Sequence, residues 1–249
     1  MNSKITLAVN EARRRFGFTN PPGNLITFFE NQENYIKEHK IILFKERLDK
    51  LFGFIGYESG YTFIGVNCDR PIGSQNITLA HELGHMFLHF GQLYSDFTEV
   101  PISKNKEETE AFDFASELLY PDSCLLKDNA ILRKNRLLLP QNSKDLGMFV
   151  DYLCHKYFLS YPVVLRRILY SNYKGKQYKS YLAQINAALG MKYTHLDQGF
   201  YIAKDSVYSV VSDFPYRYLS MLVGNAVHDG KIGDITGESL LYRYGLLED

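Results

Sequence analysis

One stretch of the sequence constrains the fold and the chemistry more than any other, the motif His-Glu-Leu-Gly-His at residues 81–85. Residues four apart lie above one another on one face of an α-helix, so the imidazoles of His81 and His85 can reach the same metal ion. Glu82 is turned away from the two histidines but can reach a water molecule at that metal. Because a metal lowers the pKa of such a water, a neighbouring carboxylate can take its proton and later pass it to a leaving amine. The motif predicts the minimum apparatus for hydrolysing a peptide bond.

The residues around the motif predict a buried helix. Most of them are apolar: Ile77, Leu79, Ala80, Leu83, Met86, Phe87, Leu88 and Phe90. Burying two histidines and a glutamate without partners is expensive, which favours a metal at these side chains. Gly84 leaves room for the close approach of a neighbouring element. The alternative interpretation is a core helix whose histidines are held by hydrogen bonds alone, since short motifs also occur by chance.

Two histidines require a third ligand, and the sequence excludes one way of supplying it. A third histidine in the pattern His-Glu-x-x-His-x-x-Gly-x-x-His would need glycine at 88 and histidine at 91, where the chain has Leu88 and Gly91. His89 lies one turn beyond His85, but three successive turns of one straight helix cannot converge on a tetrahedral ion. His89 is therefore interpreted as a residue that lies behind a ligand or packs in the core.

The other solution is a glutamate from a later helix. Residues 106–121 predict such a helix, with apolar residues at helical spacing: Ala111, Phe114, Ala115, Leu118 and Leu119. Glu110 lies at the polar edge of this apolar face. Glu107 and Glu108 are nearer the start of the helix, where acidic residues usually interact with the helix dipole and solvent. Glu117 lies two turns further along. We therefore predict Glu110 as the third ligand.

These segments resemble the ImmA/IrrE family of metallopeptidases. The similarity lies in Asn-Ile-Thr-Leu-Ala-His-Glu-Leu-Gly-His at 76–85, followed by Glu-Ala-x-x-Phe-Ala-x-x-Leu-Leu-x-Pro at 110–121. Residues 153–168 and 226–241 are similar to further segments of that family. The resemblance implies a zinc-type site of two histidines and one glutamate, with the glutamate of the motif as general base. It also implies the substrate class: helix-turn-helix transcriptional repressors of phages, mobile elements or stress regulons.

Two departures from the family pattern and the charge balance bear on the partner. Phe112 stands where the family commonly has asparagine, and no fused DNA-binding domain is recognisable at the N-terminus. Lys+Arg and Asp+Glu number 28 each, so no overall field favours nucleic acid or a membrane. The predicted two-helix corner near residue 160 has no basic face beyond Arg166 and Arg167. We therefore expect a protein substrate and no direct binding of DNA.

Cysteine usage and hydropathy indicate the compartment. Cys68, Cys124 and Cys154 are widely spaced, which is typical of neither a disulfide framework nor a metal cluster. The chain shows no signal peptide and no apolar run that could span a bilayer. These features predict a reduced, cytoplasmic protein without a membrane partner.

A change of periodicity divides the predicted secondary structure. Helices are predicted at 4–16 and 24–38, then strands at 40–44, 51–57 and 61–67, with a hairpin signal at 58–60. A small sheet beside the metal helix can offer an edge strand to an extended peptide, and residues 61–67 are predicted to be that edge or its neighbour. A purely structural hairpin is equally compatible. Further helices are predicted at 143–158, 161–171, 180–189, 216–228 and 236–246, and short strands at 199–203 and 207–211.

The predicted fold class is α+β: a zincin-like metallopeptidase core with a small antiparallel sheet and an active-site helix, followed by a helical C-terminal part. The predicted division is a core at 1–125, a helix-turn-helix-like segment at 126–173 and a mainly helical appendage at 174–249. The predicted activity is that of a zinc-dependent metallo-endopeptidase, with Mn²⁺ as the alternative metal, because affinity order alone does not settle occupancy. The alternative function is a catalytically silent metal-containing module that binds and antagonises a repressor or another protein.

Overall fold

Helices and one mixed sheet make up the part of the chain that the computed structural model describes, residues 3–30, 40–48, 50–58, 60–91, 94–96, 105–173, 179–184, 209–210, 214–243 and 247. The helices are α1 (Ser3–Phe16), α2 (Leu25–Glu30), α3 (Ile72–Leu88), α4 (Lys106–Leu119), α5 (Asp122–Lys134), α6 (Ser143–Tyr157), α7 (Tyr161–Asn172), α8 (Phe214–His228) and α9 (Asp234–Arg243). The strands are β1 (Ile41–Glu46), β2 (Gly53–Glu58), β3 (Tyr61–Asn67), β4 (Tyr94–Asp96) and β5 (Ser209–Val210). The predicted α+β class is confirmed.

The sheet has the strand order β4-β2-β3-β1-β5. β2 and β3 form the predicted antiparallel hairpin, and Gly60 supplies a positive φ of 80° in the connection, a conformation that favours glycine. β1 and β3 are parallel, so the sheet is mixed and not wholly antiparallel as expected. β3 has the predicted bounds but lies at the centre of the sheet. Its prediction as an edge or the neighbour of an edge is therefore wrong, because β2 and β1 flank it and β4 and β5 lie beyond them.

The two faces of the sheet bury different sets of side chains, as the period of two along a strand requires. One face contributes to the main core with Ile41, Leu43, Ile55, Ile64 and Val66. On the other face, Ile42 and Phe44 form a separate small cluster with Tyr61 and Phe63. β3 is central; its core face is buried and Tyr61 and Phe63 on the other face are half-buried, which fits its nearly continuous apolar sequence.

Helix α3 lies against this sheet and against α1, α2 and α4. Fourteen of its 17 residues are buried, as the apolar flanks of the motif predict. Among the described residues, none of the helices combines the length and apolar character that crossing a membrane requires.

A single buried side chain, Asn76 on α3, connects three segments. Its Oδ1 accepts a hydrogen bond from the backbone N–H of Leu25 (2.7 Å). Its Nδ2 donates to the carbonyl oxygens of Gly23 (3.0 Å) and Phe158 (2.9 Å). Asn76 thereby fixes both the start of α2 and the corner between α6 and α7 onto the helix that carries the motif.

The helices of the second half are close to their predicted bounds. α6 and α7 meet at a corner where Phe158 has a left-handed backbone (φ 52°) and Pro162 follows the first residue of α7. β5 pairs with β1, so the C-terminal part of the chain contributes a strand to the sheet. The predictions for 31–38, 185–189 and 199–203 lie outside the described residues. The three-part division of the chain stays a prediction.

We expect Asn76→Ala to lower the free energy of unfolding by about 3 kcal/mol, because each buried group that loses its hydrogen-bond partner costs about 1–3 kcal/mol. Urea unfolding followed by circular dichroism measures the change. The matched control is Asn10→Ala, at an exposed position of α1, which should change stability by less than about 0.5 kcal/mol. Equal stability of the two variants would contradict the role of Asn76.

Candidate metal centre

The two histidines of the motif face one another on α3. The Nε2 atoms of His81 and His85 lie 3.0 Å apart. Both side chains are buried, with 7% and 0% of the residue surface exposed. The helical spacing therefore brings the two imidazoles together as expected, with their Nε2 edges converging on one point.

The first turn of α4 supplies a carboxylate to the same point. Glu108 Oε2 lies 3.2 Å from His81 Nε2, and Glu108 Oε1 lies 3.7 Å from His85 Nε2. Hydrogen bonds from His81 and His85 hold the pKa of the Glu108 carboxyl well below its usual range. Asn105 caps the start of α4 by accepting a hydrogen bond from the backbone N–H of Glu107, which fixes the turn that carries Glu108.

The structure places Glu108, and not Glu110, beside the two histidines. Glu110 Oε2 instead lies 3.0 Å from Lys4 Nζ on α1 and 3.2 Å from His89 Nε2. Residues two apart on a helix are separated by about 200° around its axis, so these two carboxylates cannot point the same way. Glu110, the expected ligand, lies outside the group of described residues that could hold a metal, which is His81, His85 and Glu108.

A signal for Glu108 was present in the sequence. A Cβ on Gly84 would lie 2.9 Å from the carbonyl oxygen and 3.0 Å from the Cα of Ala111, so α3 and α4 approach backbone to backbone at this pair. Glu108 precedes Ala111 by three residues, and residues three apart are neighbours on a helix surface. Pairing the small residues would have identified the side of α4 that faces the histidines. The rule that acidic residues in the first turn of a helix interact with the helix dipole instead favoured Glu110 over Glu108.

The side chain of Glu82, on α3, is fully buried beside β2. A Cβ on Gly53 would lie 3.0 Å from Glu82 Oε1, so the absence of a side chain at this position makes space for the carboxylate beside the strand. Further along β2, burial and then the charge of Glu82 raise the pKa of Tyr57 to about 12. The phenol of Tyr57 is therefore neutral at physiological pH and lies within the field of the Glu82 carboxylate.

His89 ends helix α3 and lies behind His85. Its Nδ1 is 3.1 Å from His85 Nδ1, on the ring edge opposite to the Nε2 that faces Glu108. His89 is buried, and its backbone departs from helical geometry (φ −137°). The ring of His89 therefore lies behind His85 and outside the group formed by His81, His85 and Glu108.

The spacing of the donor atoms fits a metal ion of the zinc type. Nitrogen or oxygen ligands about 2.0–2.1 Å from a tetrahedral ion lie about 3.3 Å from one another. Here the two Nε2 atoms lie 3.0 Å apart, and each is close to one oxygen of Glu108: His81 Nε2 lies 3.2 Å from Oε2 and His85 Nε2 lies 3.7 Å from Oε1. Two imidazole nitrogens and one carboxylate also match the donor set of catalytic zinc sites, which leave a position open for water or substrate.

A buried helix with His-Glu-x-x-His, an acidic residue from the following helix and a small sheet beside them define the class of zincin-like metallopeptidases. The family model described as the IrrE N-terminal-like domain, peptidase family M78, matches residues 37–168. The chain therefore belongs to this family of metallopeptidases, and the resemblance inferred from the motifs is confirmed. No curated protein and no solved structure gives a significant match.

We expect Gly84→Ala to lower the free energy of unfolding by about 1–3 kcal/mol, because the added methyl group collides with backbone that cannot rotate away. The same displacement should weaken the binding of Zn²⁺, since Glu108 belongs to the helix that is pushed aside. Urea unfolding and Zn²⁺ titration against a competing chelator measure the two effects.

The control for this substitution is Gly224→Ala on α8, where an added Cβ meets nothing within 4 Å. Alanine at this position should be neutral or stabilising by up to about 1 kcal/mol. If Gly84→Ala matched this control in both stability and Zn²⁺ affinity, the close approach of α3 and α4 would not be what places Glu108.

Proposed function

We propose that the protein is a zinc-dependent endopeptidase that cleaves a helix-turn-helix transcriptional repressor in the cytoplasm and so relieves repression in a phage, mobile element or stress regulon. The observation that carries the peptidase assignment is the convergence of His81, His85 and Glu108 beside Glu82. Membership of the metallopeptidase family supports it. The repressor as substrate is supported by the resemblance of the motifs to the ImmA/IrrE family.

Each ligand has a distinct role in this proposal. His81 and His85 would hold the ion through neutral Nε2 atoms, and Glu108 would add an anionic oxygen that offsets part of the charge. When bound, the ion would polarise the scissile carbonyl and lower the pKa of the attacking water. Zn²⁺ fits this donor set well, and Mn²⁺ is the alternative because imidazole and carboxylate also bind it.

Glu82 would be the general base and acid. It would take a proton from the attacking water as the new C–O bond forms, and return it to the amide nitrogen as the C–N bond breaks. The carboxylate is held between α3 and the start of β2. Its place in the sequence, directly after His81, keeps it next to the metal ligands.

The alternative is a metal-containing module that binds a repressor or another protein without cutting it. The observation that favours it is the burial of Glu82, whose exposed surface is 0%. A base that must meet water and a substrate needs access that this arrangement does not provide by itself. The two functions differ in one measurable respect: the endopeptidase would cleave the protein that it binds, and the module would not.

We expect Glu82→Gln to retain stoichiometric Zn²⁺ and to lose cleavage by about 10²–10⁴-fold, the usual contribution of a general base. His85→Ala should lose both metal and cleavage. The assay combines metal analysis with electrophoresis of a repressor encoded next to this protein, with a chelator-treated sample as a further control.

Each other result has a defined meaning. Cleavage by Glu82→Gln at the wild-type rate would remove Glu82 from the mechanism. Stoichiometric metal in the wild type with no turnover of the repressor would support the non-cleaving module. Cleavage that survives both chelation and His85→Ala would show that the activity does not depend on the metal centre.

Glu108→Ala should abolish tight binding of Zn²⁺, since it removes one of three ligand atoms. Glu107→Ala, in the same turn of the same helix, should retain wild-type affinity because its carboxylate does not belong to the ligand group. Isothermal titration with Zn²⁺ compares the two. Equal affinities would show that α4 supplies no ligand from its first turn.

A further inference from the structure

We propose that His89, Glu110 and Lys4 form a support chain behind His85 that fixes the imidazole tautomer able to bind a metal. The inference rests on the proposed metal centre and deepens it. It makes Glu110 a positioning residue that acts on the metal through two histidines, and it makes α1 part of the site.

The contacts run without a break from the metal centre to the N-terminal helix. His85 Nδ1 lies 3.1 Å from His89 Nδ1, and His89 Nε2 lies 3.2 Å from Glu110 Oε2. The same carboxylate oxygen accepts a hydrogen bond from Lys4 Nζ at 3.0 Å. His85, His89 and Glu110 are all buried, with at most 8% of each residue exposed.

These contacts determine where the protons lie on both rings. An ionised carboxylate can only accept, so His89 must donate through Nε2. With the His89 proton on Nε2, its Nδ1 accepts a hydrogen bond from the Nδ1–H of His85, 3.1 Å away. The remaining nitrogen of His85, Nε2, faces Glu108 and His81 and is then the one that can give its lone pair to a metal.

The backbone at the end of α3 makes this arrangement possible. A third histidine in a straight helix would continue the column of His81 and His85. His89 is instead the C-cap, with φ −137°, while its backbone N–H still donates to the His85 carbonyl oxygen at 2.8 Å. Its ring can therefore meet the Nδ1 edge of His85 on one side and α4 on the other.

Lys4 completes the support chain from outside the region that the family model matches, residues 37–168. Its ammonium and that of Lys106, 3.6 Å from the other Glu110 oxygen, flank the carboxylate. Lys4 contacts the oxygen that accepts from His89, so it orients this oxygen towards the histidine. The contact joins residues 106 positions apart in the sequence.

A purely structural network would have a different signature. If the support chain only joined α1, α3 and α4, removing Glu110 would lower stability but leave the tautomer of His89 and the affinity for metal unchanged. If it fixes the tautomer, both should change. Partners of this kind behind a metal ligand typically contribute about 10–100-fold to metal affinity.

The experiment measures the affinity of the full chain for Zn²⁺ by competition with a chelator. Glu110→Ala should bind Zn²⁺ about 10–100-fold more weakly than the wild type. Glu110→Gln keeps an oxygen that can accept from His89, so it should recover most of the lost affinity. The matched control is Glu11→Ala, which breaks the exposed ion pair with Arg14 on α1 and should leave affinity unchanged.

A second readout reports the tautomer directly. Imidazole ¹⁵N shifts of the Zn²⁺-loaded protein should show His89 protonated at Nε2 and His85 protonated at Nδ1, and Glu110→Ala should lower the population of His89 that is protonated at Nε2. Lys4→Met should weaken Zn²⁺ binding in the same direction by a smaller factor. Arg14→Met, which removes a charge from the exposed side of the same helix, should not.

The outcomes separate this inference from the proposed function. If Glu108→Ala loses Zn²⁺ while Glu110→Ala keeps wild-type affinity, the support chain is overturned and the metal centre stands. If Glu110→Ala loses Zn²⁺ as completely as Glu108→Ala, and Glu110→Gln recovers none of it, Glu110 is a ligand and the inference fails. Wild-type affinity in Glu108→Ala would instead overturn the proposed centre, and the support chain with it.

Discussion

The contact between Gly84 and the backbone of Ala111 is the constraint on which the metal centre depends. The motif on α3 can present two histidines, but the third donor belongs to another helix whose distance is set by packing. Only a glycine on α3 lets the backbone of α4 come close enough for the Glu108 oxygens to lie 3.2 and 3.7 Å from the two Nε2 atoms. A packing contact between two small residues therefore decides the geometry of a polar site.

The parts of the site that the sequence predicted are those in which spacing alone decides geometry. The four-residue interval between His81 and His85 specifies one helical face, and the apolar flanks specify burial. The choice between Glu108 and Glu110 depends on the rotation of α4 about its own axis. No local sequence pattern in α4 predicts that rotation. Each glutamate lies about one helical turn before an apolar residue, Ala111 for Glu108 and Phe114 for Glu110, and only the pairing of Gly84 with Ala111 across two helices distinguishes them.

The same limit applies to the sheet. The strand bounds followed from composition and from the turn at Gly60, but the partner of each strand did not, because an apolar run is compatible with either neighbour. β3 lies at the centre, where β1 joins it in parallel. The strand that pairs with the outer side of β1, β5, comes from residues 209–210, far along the chain. Contacts between residues so far apart in the sequence depend on how the whole core assembles.

Burial of so many ionisable groups in one place is itself an argument about function. His81, His85, Glu82 and Glu110 each have less than a tenth of their surface exposed, and burying such groups costs free energy unless each has partners. A hydrophobic core of the same volume would be the simpler way to join α1, α3 and α4. Burying these groups, from Lys4 through to the Nε2 of His85, lowers the stability of the fold. A cation bound beside His85 would recover that stability. The helix that carries the motif therefore does not have the side chains that would make it most stable. Its polar side presents groups that could hold a metal ion, and its apolar side, through Gly84, determines where the Glu108 carboxylate lies.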